Sequence, residues 1–106
     1  PNAAPLEDLF KIARRGPSKT LRTLALRSYL RLLTLPSERA PLETVELYKR
    51  GLELSAGVEE KRMAIAGLAN LAHPRAAEVI RTLSGDKELE ADIAAALEKL
   101  SAKQGQ

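Results

Sequence analysis

Leu21-Arg22-Thr23-Leu24-Ala25-Leu26-Arg27-Ser28-Tyr29-Leu30-Arg31-Leu32 is the stretch on which the fold reading turns, because it is echoed twice downstream. The second copy is Glu60-Lys61-Arg62-Met63-Ala64-Ile65-Ala66-Gly67-Leu68-Ala69-Asn70-Leu71. The third is Leu89-Glu90-Ala91-Asp92-Ile93-Ala94-Ala95-Ala96-Leu97-Glu98-Lys99-Leu100. Superposed, Ala25, Ala64 and Ile93 share a position, as do Ser28, Gly67 and Ala96. Tyr29, Leu68 and Leu97 align next, followed by Leu32, Leu71 and Leu100. Small residues at recurring positions let neighbouring helices approach, while larger apolar ones fill the seam. The copies start 39 and then 29 residues apart. Unequal periods of this size suit stacked helix pairs in which loops vary and helices persist.

Composition agrees with an all-α chain. Of the 106 residues 44% are hydrophobic, mostly Leu and Ala, and only Phe10, Tyr29 and Tyr48 are aromatic. Leu, Ala, Arg, Lys and Glu favour helix, and Val45, Val58 and Val79 are too few valines for a sheet. Breakers divide the chain into six helices. Pro5 opens the first, with Leu6, Leu9, Phe10 and Ala13 at helical spacing, and Gly16-Pro17 ends it. Ser18 caps a second helix running to about Leu33. Pro41 opens the third, with Leu42, Val45, Tyr48 and Leu52 on one side and an unfavourable Gly51 inside. Ala56-Gly57 breaks the chain before a fourth helix over about Val58–Ala72, which His73-Pro74 ends. A fifth carries Ala76, Val79, Ile80 and Leu83. Asp86 caps the last, about Lys87–Ala102. Short connections make successive helices antiparallel. The expected domain is a right-handed α-α superhelix of three helix pairs, about 5–35, 40–72 and 74–102, with residues 103–106 frayed. Its expected core is Leu9, Phe10, Leu21, Leu24, Ala25, Leu32, Val45, Tyr48, Ile65, Leu68, Leu71, Val79, Ile80, Leu83, Ile93, Leu97 and Leu100.

The quoted copies resemble the HEAT-repeat family, whose second helix commonly reads Val-Arg-x-x-Ala-x-x-Ala-Leu-x-x-Leu. Leu21-Arg22-x-x-Ala25-x-x-Ser28-Tyr29-x-x-Leu32 follows that pattern well. The second copy starts with Glu60-Lys61 and the third has Glu90 at the basic position, so the repeats are divergent. The resemblance covers residues 5–102. It implies a scaffold or adaptor that binds partners on a concave surface lined by second helices. In the family an Asp in the intervening turn bonds to the Arg and propagates as a ladder. Here only Asp86 occupies such a turn, the first two offering Pro17 and Ala56, so a continuous ladder is not expected.

Catalytic and metal chemistry find little footing. There is no Cys, which excludes disulfides, thiolate nucleophiles and Cys-ligated metals. His73 lacks a partner at catalytic spacing and reads as a solvated or C-capping turn residue. Glu59-Glu60, Asp86-Glu88 and Glu90-Asp92 match no calcium loop and read as first-turn acids opposing the helix dipole. No Gly-rich phosphate loop, nucleophile elbow or dinucleotide fingerprint occurs, and nothing calls for a cofactor. The expectation is a non-enzymatic binding module. No apolar run approaches the roughly 20 residues of a membrane span. The start at Pro1 without Met suggests a piece of a longer polypeptide with further repeats or domains, and Ala91, Ala94 and Ala95 offer a face for more helices.

Charge singles out the candidate contact residues. Residues 1–50 carry ten basic and five acidic side chains, a net +5, whereas residues 51–106 carry seven and nine, a net −2. Arg14, Arg15, Lys19, Arg22, Arg27 and Arg31 form a basic cluster. Arg27 and Arg31 share the polar side of the second helix, while Arg22 lies nearer the apolar side as an inter-repeat contact. Arg22, Arg27, Arg31 and Arg62 are the candidate partner-binding residues, together with Met63, which falls off the apolar side of its helix. Exposed Met suits an adaptable contact surface, but with a single Met lateral packing is the favoured reading. The expected partner is another protein. The alternative is nucleic acid held through its phosphates, although aromatic residues for handling bases are scarce.

Overall fold

Helix starts are set by residues that satisfy otherwise unpaired backbone N–H groups. The Ser18 hydroxyl accepts from the Leu21 N–H at 3.1 Å, and Asp86 Oδ1 accepts from the Glu88 N–H at 3.1 Å. The computed structural model describes residues 4–54 and 57–104. These form α1 (Ala4–Arg15), α2 (Lys19–Leu33), α3 (Pro41–Leu54), α4 (Val58–Leu68), α5 (Pro74–Arg81) and α6 (Glu90–Gln104), with a 3-10 turn (Lys87–Leu89) leading into α6. Among the described residues there is no strand, and no helix is long and apolar enough to cross a membrane.

Several boundaries differ from the sequence reading, among them the end of α5, which stops at Arg81 short of Leu83, and the start of α6, where Lys87–Leu89 form a 3-10 turn. α4 stops at Leu68 because the Asn70 and Leu71 N–H groups bond to the carbonyls of Gly67 and Leu68, tightening the chain into a turn. His73 acts at the start of α5, not at the end of α4: its Nδ1 accepts from the Arg75 N–H at 3.0 Å. α6 runs through Lys103 to Gln104, into the segment expected to fray, while Gly105 and Gln106 lie outside the described residues.

The helices occupy two layers. α1, α3 and α5 lie side by side in one, α2, α4 and α6 in the other, and each helix touches only its pair mate and its neighbours along the array. α4 is the hub, in contact with α2, α3, α5, α6 and the 3-10 turn. The result is a slab of 44 × 35 × 16 Å with a radius of gyration of 13.5 Å, near the roughly 13 Å of a folded chain of this length. One core runs through it, centred on Tyr29, Leu30, Val45, Tyr48, Ala64, Leu68, Ala76, Ile80, Leu89 and Leu100.

Phe10, Ala25, Val45, Tyr48, Ile65, Leu68, Val79, Ile80, Ile93 and Leu100 are buried as their spacing suggested. Leu9, Leu32, Leu71, Leu83 and Leu97 pack against the core while partly open. Leu21 and Leu24 are corrections, being 41% and 54% exposed. They lie on the upstream side of α2, and no described helix precedes that side, whereas Leu26, Leu30 and Leu33 take the covered arc.

Two glycines set how closely the helices approach. A Cβ on Gly51 would sit 3.0 Å from Tyr29 Cε2 and 3.3 Å from Leu30 Cδ2. Its place inside α3 therefore reflects contact with α2. A Cβ on Gly67 would fall on the Tyr48 hydroxyl and ring. Tyr29 donates its hydroxyl to the Leu47 carbonyl at 2.7 Å, and its ring lies tilted 5.7 Å from that of Phe10. Arg50 also lies over Phe10, 4.0 Å from the ring centroid, in a cation–π contact.

Gly67→Ala should lower stability by about 1–3 kcal/mol, the usual penalty for overpacking, despite alanine's better helix propensity. In a Tyr48→Leu background that penalty should shrink, which urea unfolding of the double-mutant cycle would measure. Burial pushes the phenols of Tyr29 and Tyr48 up to about 12, against the opposing pull of Arg50 and Arg39 respectively. Both are neutral in folded and unfolded chains below pH 10, so their contribution is complete there. As pH rises from 10 towards 12 the unfolded phenols ionise first, and stability should fall. Phenolate absorbance against pH, with melting temperatures alongside, checks the window.

Candidate interaction surface

The outer face of the second layer is built from polar positions on α2, α4 and α6, placed side by side by the packing of those helices. Four of the five candidate contact residues take part in contacts within the chain. Arg22 donates to the Gly16 carbonyl at 2.8 Å, closing the end of α1 within its own helix pair. Arg27 Nε bonds to Glu60 Oε2 at 2.7 Å, joining α2 to α4. Arg62 bonds to Asp92 Oδ2 at 3.1 Å, to Glu59 Oε2 at 3.1 Å and to the Glu88 carbonyl at 3.2 Å, joining α4 to α6. The Asp92 hydrogen bond, more than the charges of Asp92 and Glu59, holds the Arg62 guanidinium above its ordinary pKa. Met63 is half-buried and packs against the core. Arg31 is exposed, and its side chain stands clear of the ion pairs formed among the described residues.

The first layer has matching links. Arg50 pairs with Glu7 at 3.2 Å between α3 and α1, and Arg75 pairs with Glu46 at 3.0 Å between α5 and α3. Each pair of neighbouring helices within a layer is thus bridged by one Arg–carboxylate contact. The turn acid also takes a part: Asp86 lies 3.9 Å from Lys61, which occupies the basic position of the repeat motif. Ala56, in the preceding turn, lies outside the described residues. The acidic partners were not singled out from sequence as bridging groups. Their separations of 33, 30, 43 and 29 residues follow no single period. What could have marked them was their placement on the helix sides that meet a neighbour.

Glu60 is the unusual member. It is only 6% exposed, although the corresponding residue of the third copy is the fully buried Leu89. Its carboxylate forms one wall of a groove of about 290 Å³, lined also by Ala13, Lys19, Arg22, Thr23, Leu26, Leu54 and Gly57. Among the described residues no cluster of three or more His, Asp or Glu side chains is arranged to hold a metal ion. His73 is occupied as a helix cap and lies in a different turn from this groove. The chain matches no protein-family model, no curated protein and no solved structure.

Arg27 is part-exposed and Glu60 is not, so the two partners differ in what their loss leaves behind. Arg27→Met should cost about 1–3 kcal/mol because it strips a buried carboxylate of its cation. Glu60→Gln should cost less, since the remaining guanidinium can turn to water. Chemical unfolding of the two single variants tests the order.

Proposed function

We propose that this chain is a non-enzymatic scaffolding module of three HEAT-like helix pairs in a right-handed α-α superhelix, binding a protein partner on the outer surface of α2, α4 and α6. The observation carrying this reading is the neighbour-only packing of two parallel layers, with the second helices of all three repeat copies adjacent in one of them. Such an arrangement presents a broad surface whose residues come from every repeat, as extended recognition by repeat proteins requires. Arg31 on α2, Asn70 in the turn that follows α4 and Lys99 on α6 give that surface polar positions from all three repeat copies.

Engagement of Arg27 and Arg62 by carboxylates favours a protein partner over a phosphate backbone. Guanidiniums already paired would have to exchange those contacts for phosphates. Arg31→Glu should weaken binding of a partner recovered from the source proteome at least tenfold, whereas Arg81→Glu in the other layer should leave it unchanged. Isothermal titration with the purified partner measures both. Fluorescence anisotropy with duplex and single-stranded oligonucleotides should show no association near physiological salt. Steeply salt-dependent binding lost on Arg31→Glu would overturn the protein-scaffold reading in favour of a nucleic-acid one.

A further inference from the structure

The two end faces of the described array differ in shape and charge, and each has what the other lacks. Inside the array, α2 buries the large Leu26 and Leu30 against the following helix pair, Leu30 reaching Gly51 of α3 and Leu26 lining the groove with Leu54 and Gly57. At the upstream end the pattern is inverted. Leu21 and Leu24 project at positions equivalent to Glu60 and Met63 in the second copy, and Ile12 is 38% exposed on the side of α1 away from α3. At the downstream end, Ala94 and Glu98 of α6 occupy the positions of Leu26 and Leu30, and Ala91 lies beside them. All three are exposed. One end therefore carries apolar knobs and the other a shallow alanine face. Charge follows the same polarity: residues 5–35 carry seven basic and two acidic side chains, while residues 74–102 carry four and six.

We infer that a second copy of this chain docks head to tail, with Leu21, Leu24 and Ile12 of one copy seated on the Ala91–Ala94–Glu98 face of the next. The contact continues the α2–α4 and α4–α6 seams across the chain boundary, and the opposite net charges of the two ends hold them together. Same-end pairing would bring two basic helix pairs into contact, which like-charge repulsion opposes. A head-to-tail contact is heterologous, so it propagates unless its rotation closes a ring. It uses the ends of the array and leaves the outer surface of α2, α4 and α6 open, so it stands or falls independently of partner binding there.

Sedimentation velocity over a wide concentration range tests it directly. The wild-type chain should show average mass rising with concentration beyond a dimer, or settling at a closed ring. Leu24→Glu and Ala94→Glu, each at an exposed helical position and checked by circular dichroism, should each weaken self-association at least tenfold. Mixed in equal amounts, the two variants should form one-to-one dimers and nothing larger, since each keeps the end that the other has lost. Leu21→Glu provides a second block of the upstream end should Leu24→Glu fold poorly. A monomeric wild-type chain, undiminished association of either blocked variant alone, or a monomeric mixture would each overturn the inference.

Discussion

The contact between Tyr48 and Gly67 is the constraint around which the middle of the structure is arranged. An aromatic ring from α3 reaches the backbone of α4 at the one place where a side chain is missing. α4 can consequently lie close to α3 while still meeting α2 and α6 on its flanks and α5 across the layers. A larger residue at that point would displace the helix that every other pair leans on. Gly51 answers in the same way to Tyr29 and Leu30, so tyrosine against glycine recurs within the central pair and where that pair meets the first. Helix propensity is sacrificed at both sites in favour of interhelical approach.

Electrostatic contacts run along the layers, perpendicular to this packing, and their sense alternates. In the second layer the upstream helix supplies Arg and the downstream helix the carboxylate, as in Arg27–Glu60 and Arg62–Asp92. In the first layer the order is reversed, as in Glu7–Arg50 and Glu46–Arg75. Most of these pairs are exposed enough that each adds little to stability. Their stronger effect is on register, because sliding one helix pair by a turn would separate opposite charges in both layers together.

Much of this was legible in the sequence. Ser18, Pro41, Gly57 and Asp86 mark helix starts through local chemistry that needs no tertiary information. The aligned small positions identified Ala25, Ala64 and Gly67 as points of close approach. Other features depended on what lies across from a residue. Leu21 and Leu24 fit an apolar helical pattern yet face outward, because the pattern cannot say whether another pair covers that side. Leu26, Leu30 and Leu33 were passed over in favour of them for the same reason. His73 looked like a terminator because Pro74 follows it, when that proline opens the next helix and His73 caps it. Arg27 and Arg62 read as candidate partner contacts, because the acids that α4 and α6 bring opposite them lie at no fixed sequence spacing.

The neighbour-only packing has a consequence for how the chain acquires its structure. Since no helix touches one beyond the adjacent pair, each contact closes a loop of modest length. The entropic barrier to collapse is correspondingly low, as in other topologies of small contact order. The kinetics should resemble those of a zipper, in which structure formed in one helix pair spreads to the adjacent ones. The outermost helices, each leaning on neighbours from one side only, would be first to exchange their amide hydrogens with solvent.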